Sequence, residues 1–324
     1  MVQNVLIGIA AGAASALLFA SFASGSALSL LLVSIAPLPI AIAALGWSHV
    51  AGLVAALLGA TALAVSLSGV LFIAFLMSVA VPACWLAYLA LLARPAPQPT
   101  ADGLDWYPVG RLVLWAALLA TLVVTITLLR IGWDAETIHN GLARVFEQLM
   151  RIQSRTPADA PLEIPSVSDP KRLLGFLAIV FPPIVAVLAT LTNLLNLWLA
   201  ARIVKVSGRL KRPWPDLAAI AFPPLVPLAL AAAVAGSFAS GLLGMFSGVL
   251  AATLLTAYAI LGFAVLHKIT SGIAGRGFVL AGAYASVGVL GWPVLVMMLL
   301  GLADAMIDVR GRIAARRGGP PPHT

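Results

Sequence analysis

Charged residues are scarce in this chain, and their scarcity excludes a water-soluble globule. Only 9% of the 324 residues are charged and 62% are hydrophobic; the mean hydropathy of +1.07 leaves too little polar surface for a soluble fold. Apolar runs of about 18 to 25 residues match the ~30 Å hydrocarbon core of a bilayer at ~1.5 Å per helical residue. Strands of a membrane barrel would alternate in polarity, and these runs do not. The sequence therefore predicts an all-α polytopic transmembrane bundle with about eight spans, within a range of roughly seven to nine.

Groups that carry chemistry are missing as well. The single cysteine, Cys84, lies in an apolar run, so no disulfide framework or CxxC pair is available. The sequence contains no GxxxxGK[ST] phosphate loop, no HExxH motif and no clustered His, Cys or carboxylate residues typical of a metal site. Every Asp and Glu falls in a loop or at a segment end, which disfavours a proton relay within the membrane. We expect a non-catalytic protein without metal or cofactor; an intramembrane hydrolase is disfavoured because nothing specifies a Ser–His–Asp arrangement.

The positive charge of the chain is concentrated in short loops and at the C-terminus. There are 19 Lys and Arg against 11 Asp and Glu, a net charge of +8. This distribution favours positive-inside topology and contact with anionic lipid over binding to a specific nucleic acid. Residues 201–216 contain five basic residues and form the expected cytoplasmic loop. We expect a multi-pass protein of the bacterial inner membrane with both termini in the cytoplasm.

The apolar segments do not all fit this orientation. No basic residue precedes the first segment, so we expect a retained helix rather than a cleaved signal peptide. Nine spans would place the basic tail, residues 311–324, on the side opposite the basic loop. One segment must therefore fail to span or split in two. We favour eight spans in a single domain over 1–310, and 26–46 or 236–248 is the region least expected to cross as one helix. The tail is expected to be mostly disordered. The segments are 5–23, 26–46, 49–66, 69–92, 111–131, 172–200, 217–235, 243–266 and 278–302.

The longest polar stretch, residues 132–170, predicts an external amphipathic insertion. Asp134 is placed to cap a helix, and Glu147 and Arg151 are spaced for an i,i+4 ion pair. The helix is expected to lie on the membrane, to cover a cavity, or to pack on the surface as a linker. Its apolar residues recur at helical spacing: Ile138, Leu142, Val145, Leu149 and Ile152.

Prolines inside apolar runs predict interruptions of the helices, because proline lacks the amide hydrogen and clashes with the preceding turn. The sequences AIVFPPIVAVLA (178–189) and AIAFPPLVPLAL (219–230) also resemble each other. Transporters often contain repeats with proline-interrupted helices near the substrate site, so this similarity suggests an internal repeat. The expected helix breaks are Pro37, Pro39, Pro182, Pro183, Pro223 and Pro224.

Three polar residues in the 172–200 segment form the candidate binding site. Thr192, Asn193 and Asn196 share one face of the predicted helix. Buried amides in hydrocarbon need hydrogen-bond partners, so this face should point into the bundle. It either binds an uncharged polar or aromatic solute or locks neighbouring helices together.

Two further sets of residues are candidates for docking a partner protein. Small residues recur every fourth position in the first segment, at Gly8, Gly12 and Ala16 and again at Ala10 and Ala14, which allows close approach of another helix. At the end of the last segment, Asp304 and Asp308 fall on one helical face and Asp308 is spaced for a pair with Arg312. This cluster is either an ion-paired helix end or a docking surface for a cytoplasmic partner.

Three stretches resemble the YybS-like family of predicted bacterial membrane proteins of unknown function: SIAPLPIAIAALGW (34–47), NLWLAARI (196–203) followed by RPWPDL (212–217), and LLGLADAMIDVRGRI (299–313). That family is more distantly similar to the substrate-binding subunits of energy-coupling-factor vitamin transporters. The resemblance implies a helical bundle that docks ATPase and coupling subunits through a small-residue face, here at Ala10 and Ala14. The missing phosphate loop would be consistent with borrowed ATPase subunits.

The sequence thus favours a non-catalytic permease or substrate-binding transport component for a small polar or aromatic solute. The alternative is a membrane scaffold or assembly protein that docks a partner complex. In both cases the expected partners are the lipid bilayer and another membrane protein or ATPase and coupling subunits, and the substrate remains unspecified.

Overall fold

The computed structural model describes residues 1–96, 103–155, 157, 167 and 169–316. Within these residues the protein is a helical bundle with one small β-hairpin. Short 3-10 turns lie at Ser21–Ser24 and Leu217–Ala219, and a π turn at Leu76–Ala80 joins two helices. The helices and strands are α1 (Val2–Ala20), α2 (Ala27–Ser34), α3 (Pro37–Gly46), α4 (His49–Ser66), α5 (Gly69–Phe75), α6 (Val81–Ala90), β1 (Ala93–Pro95), β2 (Leu104–Trp106), α7 (Val109–Leu129), α8 (Ala135–Ser154), α9 (Pro170–Val206), α10 (Val226–Gly236), α11 (Gly241–Ile269), α12 (Arg276–Leu290), α13 (Val294–Ile307) and α14 (Val309–Arg316).

Seven helical stretches within the described residues are long and apolar enough to cross a membrane. They make the chain a multi-pass membrane protein, because a stretch of ~20 apolar residues spans the hydrocarbon core. The all-α polytopic fold predicted from the sequence is confirmed. The stretches are Val2–Ser24, Ala27–Gly46, His49–Ser66, Gly69–Ala90, Val109–Leu129, Pro170–Val206 and Gly241–Ile269.

The start of the chain and the basic loop lie at the same end of the bundle, here called the basic end. Arg209 in the loop stacks 4.6 Å from the centre of the Trp47 ring, just before α4 begins. Helix α1 runs parallel to α4, since Gly8 faces Ala51 and Gly12 faces Ala55. The first residues of α1 and α4 are therefore level with the loop.

Helix α7 starts from the basic end and carries the chain to the opposite end, where α8 begins. The β1–β2 hairpin and the hydrogen bond from the Tyr107 amide to the Leu92 carbonyl (2.9 Å) hold the start of α7 beside the end of α6. Asp134 caps α8 as predicted, because its carboxylate accepts from the Thr137 amide at 2.8 Å.

Only part of the apolar face of the amphipathic helix α8 is buried against the bundle. Ile138 and Leu142 are buried against the bundle, whereas Ile152 at the far end is 76% exposed. Glu147 and Arg151 form the expected i,i+4 pair at 2.8 Å. Helix α8 thus packs on the bundle through its first half, whereas apolar side chains in its second half are exposed. Two acidic residues of the predicted insertion, Asp159 and Glu163, lie outside the described residues.

Helix α9 differs from the sequence prediction at two places. Pro182 and Pro183 lie inside one continuous helix, so the helix break predicted there is wrong. The helix also continues to Val206, and the basic loop begins at Ser207 rather than at 201. Long helical stretches precede and follow the proline pair, and packing against several neighbours holds the helix through it. Lys205 then falls in the last turn of α9, where positive charge suits the helix dipole, and Arg202 lies one turn earlier.

Residues 217–235, predicted as a spanning helix, are helical only in their second half. The chain around Pro223 and Pro224 is non-helical, which agrees with the predicted break, and α10 starts at Val226. Phe222 packs edge-on against Tyr258 of α11 at 5.3 Å, so the non-helical part is anchored within the bundle. The two Phe-Pro-Pro sequences therefore adopt different conformations, and the suggested repeat is not a structural one.

The last apolar segment, 278–302, is divided into α12 and α13 at Gly291, whose φ of 72° is left-handed, and at the following Pro293. Arg276, at the start of α12, reaches the His267 carbonyl (3.5 Å), and Arg310, just after α13, donates to the Ala218 carbonyl (2.9 Å). Both ends of the α12–α13 pair therefore lie at the basic end. This split, rather than a weakness in 26–46 or 236–248, brings the C-terminal region back to the end where the chain begins.

The expected tail is helical where it is described. Residues 311–316 belong to α14, so the prediction of disorder does not hold for them. Residues 317–324, to which the same prediction extends, lie outside the described residues.

Candidate functional site

The predicted amide cluster of α9 does point into the bundle. Asn196 is 2% exposed and Asn193 is 7% exposed, and neighbouring Thr190 is fully buried. The Asn196 amide nitrogen donates to two carbonyls, those of Ser34 and Thr192, each at 2.8 Å. Thr192 thus contributes its backbone oxygen to the cluster.

The Ser34 carbonyl needs this partner because the helix is interrupted there. Residue 34 ends α2 and Pro37 starts α3, so the break predicted at this proline is confirmed; Pro39 lies in the first turn of α3. A carbonyl freed by a break in hydrocarbon must be satisfied by protein or water. Asn196 satisfies the Ser34 oxygen from α9, and the Ser15 hydroxyl satisfies the Ala36 oxygen from α1 at 2.5 Å.

The space beside the two asparagines is too small for a solute. It measures about 10 Å³, which is roughly the room needed by one water molecule. The Asn196 side-chain oxygen is buried and has no hydrogen-bond partner among the described residues, so one water would complete the cluster. The geometry favours interhelical locking over solute binding at Thr192, Asn193 and Asn196.

A larger cavity lies beneath the basic loop and is here called the loop cavity. Its volume is about 250 Å³, and helices α3, α6, α7, α9 and α11 contribute to its walls. The lining side chains that the structure describes are apolar or aromatic, with one guanidinium among them. Representative residues are Leu45, Leu112, Leu194, Ala201, Ile260 and Arg212.

Arg212 enters the wall of the loop cavity from the loop itself. Its Nη1 donates to the Ala90 carbonyl at 3.1 Å and so caps the end of α6, where carbonyls lack helical partners. Burial lowers the pKa of Arg212 from its ordinary value, because desolvation disfavours the charged form. A guanidinium still keeps its proton in proteins, so the cavity has one fixed positive charge.

A second space, here called the polar cleft, lies on the other side of the loop. Its volume is about 530 Å³, and Asp216, His267, Arg276 and Tyr284 are among its lining residues. Residues 214–220 separate it from the loop cavity, since Trp214, Pro215, Leu217, Ile220 and Ile260 line both spaces.

Charged contacts hold this dividing segment in place. Lys205 lies 4.7 Å from the centre of the Trp214 ring, a distance at which cation–π attraction is effective. Asp216 approaches Lys268 at 3.9 Å, and Arg310 donates to the Ala218 carbonyl at 2.9 Å. The dividing segment is thus tied to α9, α11 and the α13–α14 junction.

The predicted acidic docking cluster is rearranged by the end of α13. Asp308 has a left-handed φ of 49° and terminates the helix, so Asp304 and Asp308 do not share a helical face. Asp304 is 5% exposed and pairs with Arg310 at 2.7 Å. The Asp308 carboxylate accepts a hydrogen bond from the Gly311 amide at 3.0 Å. Arg312 contacts Asp308 only through its backbone amide, which donates to the Asp308 carbonyl. The predicted Asp308–Arg312 ion pair is therefore wrong.

The small residues of α1 divide into two faces. Gly8, Gly12 and Ala16 are buried against α4, which confirms their predicted use in close helix packing. Ala10 and Ala14 are exposed on the outside of the bundle. Their proposed docking role therefore remains a prediction.

Sequence reasoning missed the loop cavity. The dense positive charge around Arg212 and the Pro-Trp-Pro sequence at 213–215 marked the loop as unusual, yet neither revealed that the loop covers an apolar space formed by five distant helices. Among the described residues, no group of three or more His, Cys, Asp or Glu side chains could hold a metal ion. No family model, curated protein or solved structure matches this chain.

Proposed function

We propose that this protein is a non-catalytic, ligand-binding membrane protein whose site is the loop cavity. The observation that supports this proposal is an apolar space of about 250 Å³ at the basic end of the bundle. Ligand sites are typically concave, mainly apolar and supplied with a few fixed polar groups. The asparagine cluster serves the fold, and the main part of the ligand is apolar or aromatic, unlike the small polar solute expected at that cluster.

Packing elsewhere in the bundle makes this space distinctive. Helices approach so closely at Gly12 and at Gly301 that an added methyl group would overlap the Ala55 and Tyr258 carbonyls. Protein interiors are usually filled to crystal-like density, and unfilled apolar volume is destabilising. A bound molecule would restore the contacts that the walls of the loop cavity lack.

The binding role extends to transport if partner subunits are present. Arg212 is the one titratable group among the described lining residues, so the cavity holds no acid–base pair or nucleophile–base arrangement of the kind that catalysis requires. A substrate-binding component would capture its ligand here and work with separate ATPase and coupling subunits. The exposed Ala10 and Ala14 face of α1 is the surface that we propose for their docking.

Filling the cavity tests the proposal. An Ala201→Phe variant places an aromatic ring within the loop cavity, and because the ring takes up space that the ligand needs, the affinity should fall about tenfold, or ~1.4 kcal/mol. The wild-type protein, gently extracted from its native membrane, should carry a small molecule that native mass spectrometry detects as added mass. The matched control is Ala10→Phe, where the new ring faces away from the bundle and the added mass should persist.

Two results would contradict this function. The first is wild-type protein without any bound molecule, and the second is equal retention by Ala201→Phe. The same purification separates transport from scaffolding: co-purified ATPase and coupling subunits support a transport component, whereas a stoichiometric partner complex without ATPase supports the scaffold alternative.

A further inference from the structure

The chemistry of Arg212 indicates what kind of ligand the loop cavity accepts. We propose that the ligand is an anionic amphiphile: its apolar chain lies in the loop cavity, and its carboxylate or phosphate head binds the Arg212 guanidinium. This inference rests on the proposed binding function and adds the substrate class. It joins the two features of the cavity wall, extensive apolar surface and a single positive charge.

Most of the hydrogen-bonding capacity of Arg212 is unused. A guanidinium has five N–H donors, and here Nη1 donates to the Ala90 carbonyl. The remaining nitrogens, Nε and Nη2, make no hydrogen bond to the described residues. A guanidinium edge with two free donors matches the paired oxygens of a carboxylate or phosphate, which bind arginine in a bidentate manner.

The part of the chain that the structure describes supplies no counterion for this positive charge. Among the described residues, no carboxylate lines the loop cavity. The nearby acids are engaged elsewhere: Asp216 lines the polar cleft and approaches Lys268 at 3.9 Å, and Asp304 pairs with Arg310 at 2.7 Å. A partly buried cation without an anion is costly, so an anionic head at Arg212 stabilises the site more than a neutral one.

The surroundings favour an amphiphile over a free anion. Arg202, Lys205 and Arg209 belong to the same basic end and raise the local concentration of anions. Beyond the guanidinium, however, the cavity offers apolar and aromatic walls, which bind hydrocarbon and not a hydrated ion. A molecule with a charged head and an apolar chain satisfies both parts of the site.

The capping contact with Ala90 gives Arg212 a structural role that the experiment must separate from binding. Arg212→Gln keeps a neutral N–H donor on a shorter side chain and removes the charge. Lys211→Gln removes the same charge from the next residue, which is exposed and does not line the cavity. Arg212→Lys keeps the charge if the glutamine variant does not fold.

Quenching of tryptophan fluorescence measures binding directly, because Trp198 and Trp214 line the loop cavity. The probes are a brominated fatty acid and the brominated fatty alcohol of the same chain length, added to the protein in neutral-lipid nanodiscs at a pH where the acid is ionised. Binding to the cavity is the saturable part of the quenching. The fatty acid should bind at least about tenfold more tightly than the alcohol, since its carboxylate can accept charge-assisted hydrogen bonds from Nε and Nη2 in a bidentate contact that the alcohol cannot make.

The variants then assign that preference to one side chain. Arg212→Gln should abolish the tenfold preference, with the fatty acid binding no more tightly than the alcohol, and Arg212→Lys and Lys211→Gln should retain most of it. An alkyl phosphate should replace the fatty acid, whereas inorganic phosphate alone should not displace it.

Each contrary result has a separate meaning. Equal binding of acid and alcohol by the wild-type protein, or a preference that survives in Arg212→Gln, would overturn the anionic head but leave the apolar site intact. Displacement of the fatty acid by inorganic phosphate would make this a site for a free anion and would also overturn the proposal. An absence of saturable quenching by either probe, or its persistence in Ala201→Phe, would overturn the loop cavity as the site and with it the proposed function.

Discussion

Single polar side chains complete the backbone where helices of this bundle are interrupted. At the α2–α3 break, the Ser34 and Ala36 carbonyls accept hydrogen bonds from Asn196 and Ser15, which belong to two other helices. Bulk water does not solvate such oxygens in the hydrocarbon layer, so protein groups or a trapped water must satisfy them, and here both partners are side chains. The break therefore adds specificity, because α1, α3 and α9 must meet in one arrangement to satisfy it.

Replacing Asn196 by alanine should destabilise the protein. The change leaves the Ser34 carbonyl, freed by the α2–α3 break, without its donor, which costs ~1–2 kcal/mol. Asn193→Ala is the matched control: the Asn193 side chain is on the same face but makes no hydrogen bond to the described residues, so a smaller loss is expected. Thermal unfolding in detergent, followed by size-exclusion chromatography, measures both, and equal losses would contradict the structural role of Asn196.

For single polar residues, the sequence predicted correctly that the side chain points into the bundle, but it did not predict which group the side chain contacts. The apolar run around Asn196 was sufficient to predict that its amide points inward, because a polar group in hydrocarbon has no favourable alternative. Its partner, Ser34, is 162 residues away and depends on how the helices pack. Asp304 was misread for a similar reason: the left-handed turn at Asp308 ends the helix, and helical spacing no longer applies beyond it.

At the scale of helices, the sequence predicted well where apolar segments begin and end. It predicted less well whether each segment forms one unbroken helix. Segments 49–66 and 111–131 agree with α4 and α7 within about two residues. The same double proline lies within a helix at Pro182–Pro183 and in a non-helical segment at Pro223–Pro224. Local sequence is similar in the two places, but α9 has about three helical turns before its prolines, whereas the second pair follows the loop that carries Pro213 and Pro215.

Close packing between α11 and α13 should depend on glycine. A Cβ atom at Gly301 would overlap the Tyr258 carbonyl, so Gly301→Ala must push the two helices apart at a cost of ~1–3 kcal/mol. Gly282→Ala in α12 is the control, because a Cβ there meets open space and alanine favours helix. We expect a lower unfolding temperature for the first variant and an unchanged or higher one for the second; similar values would contradict the close approach of α11 and α13.

For the whole molecule, the decisive feature is that three distant parts of the chain gather at the basic end. The start of α1, the basic loop and the α13–α14 junction all lie there, because the α12–α13 pair leaves and returns to the same end. Counting apolar segments alone left the location of the C-terminal region in conflict with its charge. The left-handed Gly291 and the following Pro293 remove this conflict, because they turn the chain back between α12 and α13. The turn in chain direction is visible only in the folded structure.

This arrangement predicts the sidedness of four positions in the membrane. With Cys84 replaced by alanine, single cysteines at Gln3, Ser207 and Ala315 should react together with a membrane-impermeant maleimide, and only after the cells are permeabilised, because basic loops remain in the cytoplasm. A cysteine at Glu136, in the first turn of α8 at the opposite end of the bundle, should react in intact cells. All four positions are exposed in the structure, so a lack of reaction reports the membrane barrier and not burial. Labelling of Ala315→Cys in intact cells would show that the α12–α13 pair crosses the membrane instead of returning to the basic end. Labelling of Ser207→Cys in intact cells would show that the basic end, and with it the loop cavity, faces away from the cytoplasm.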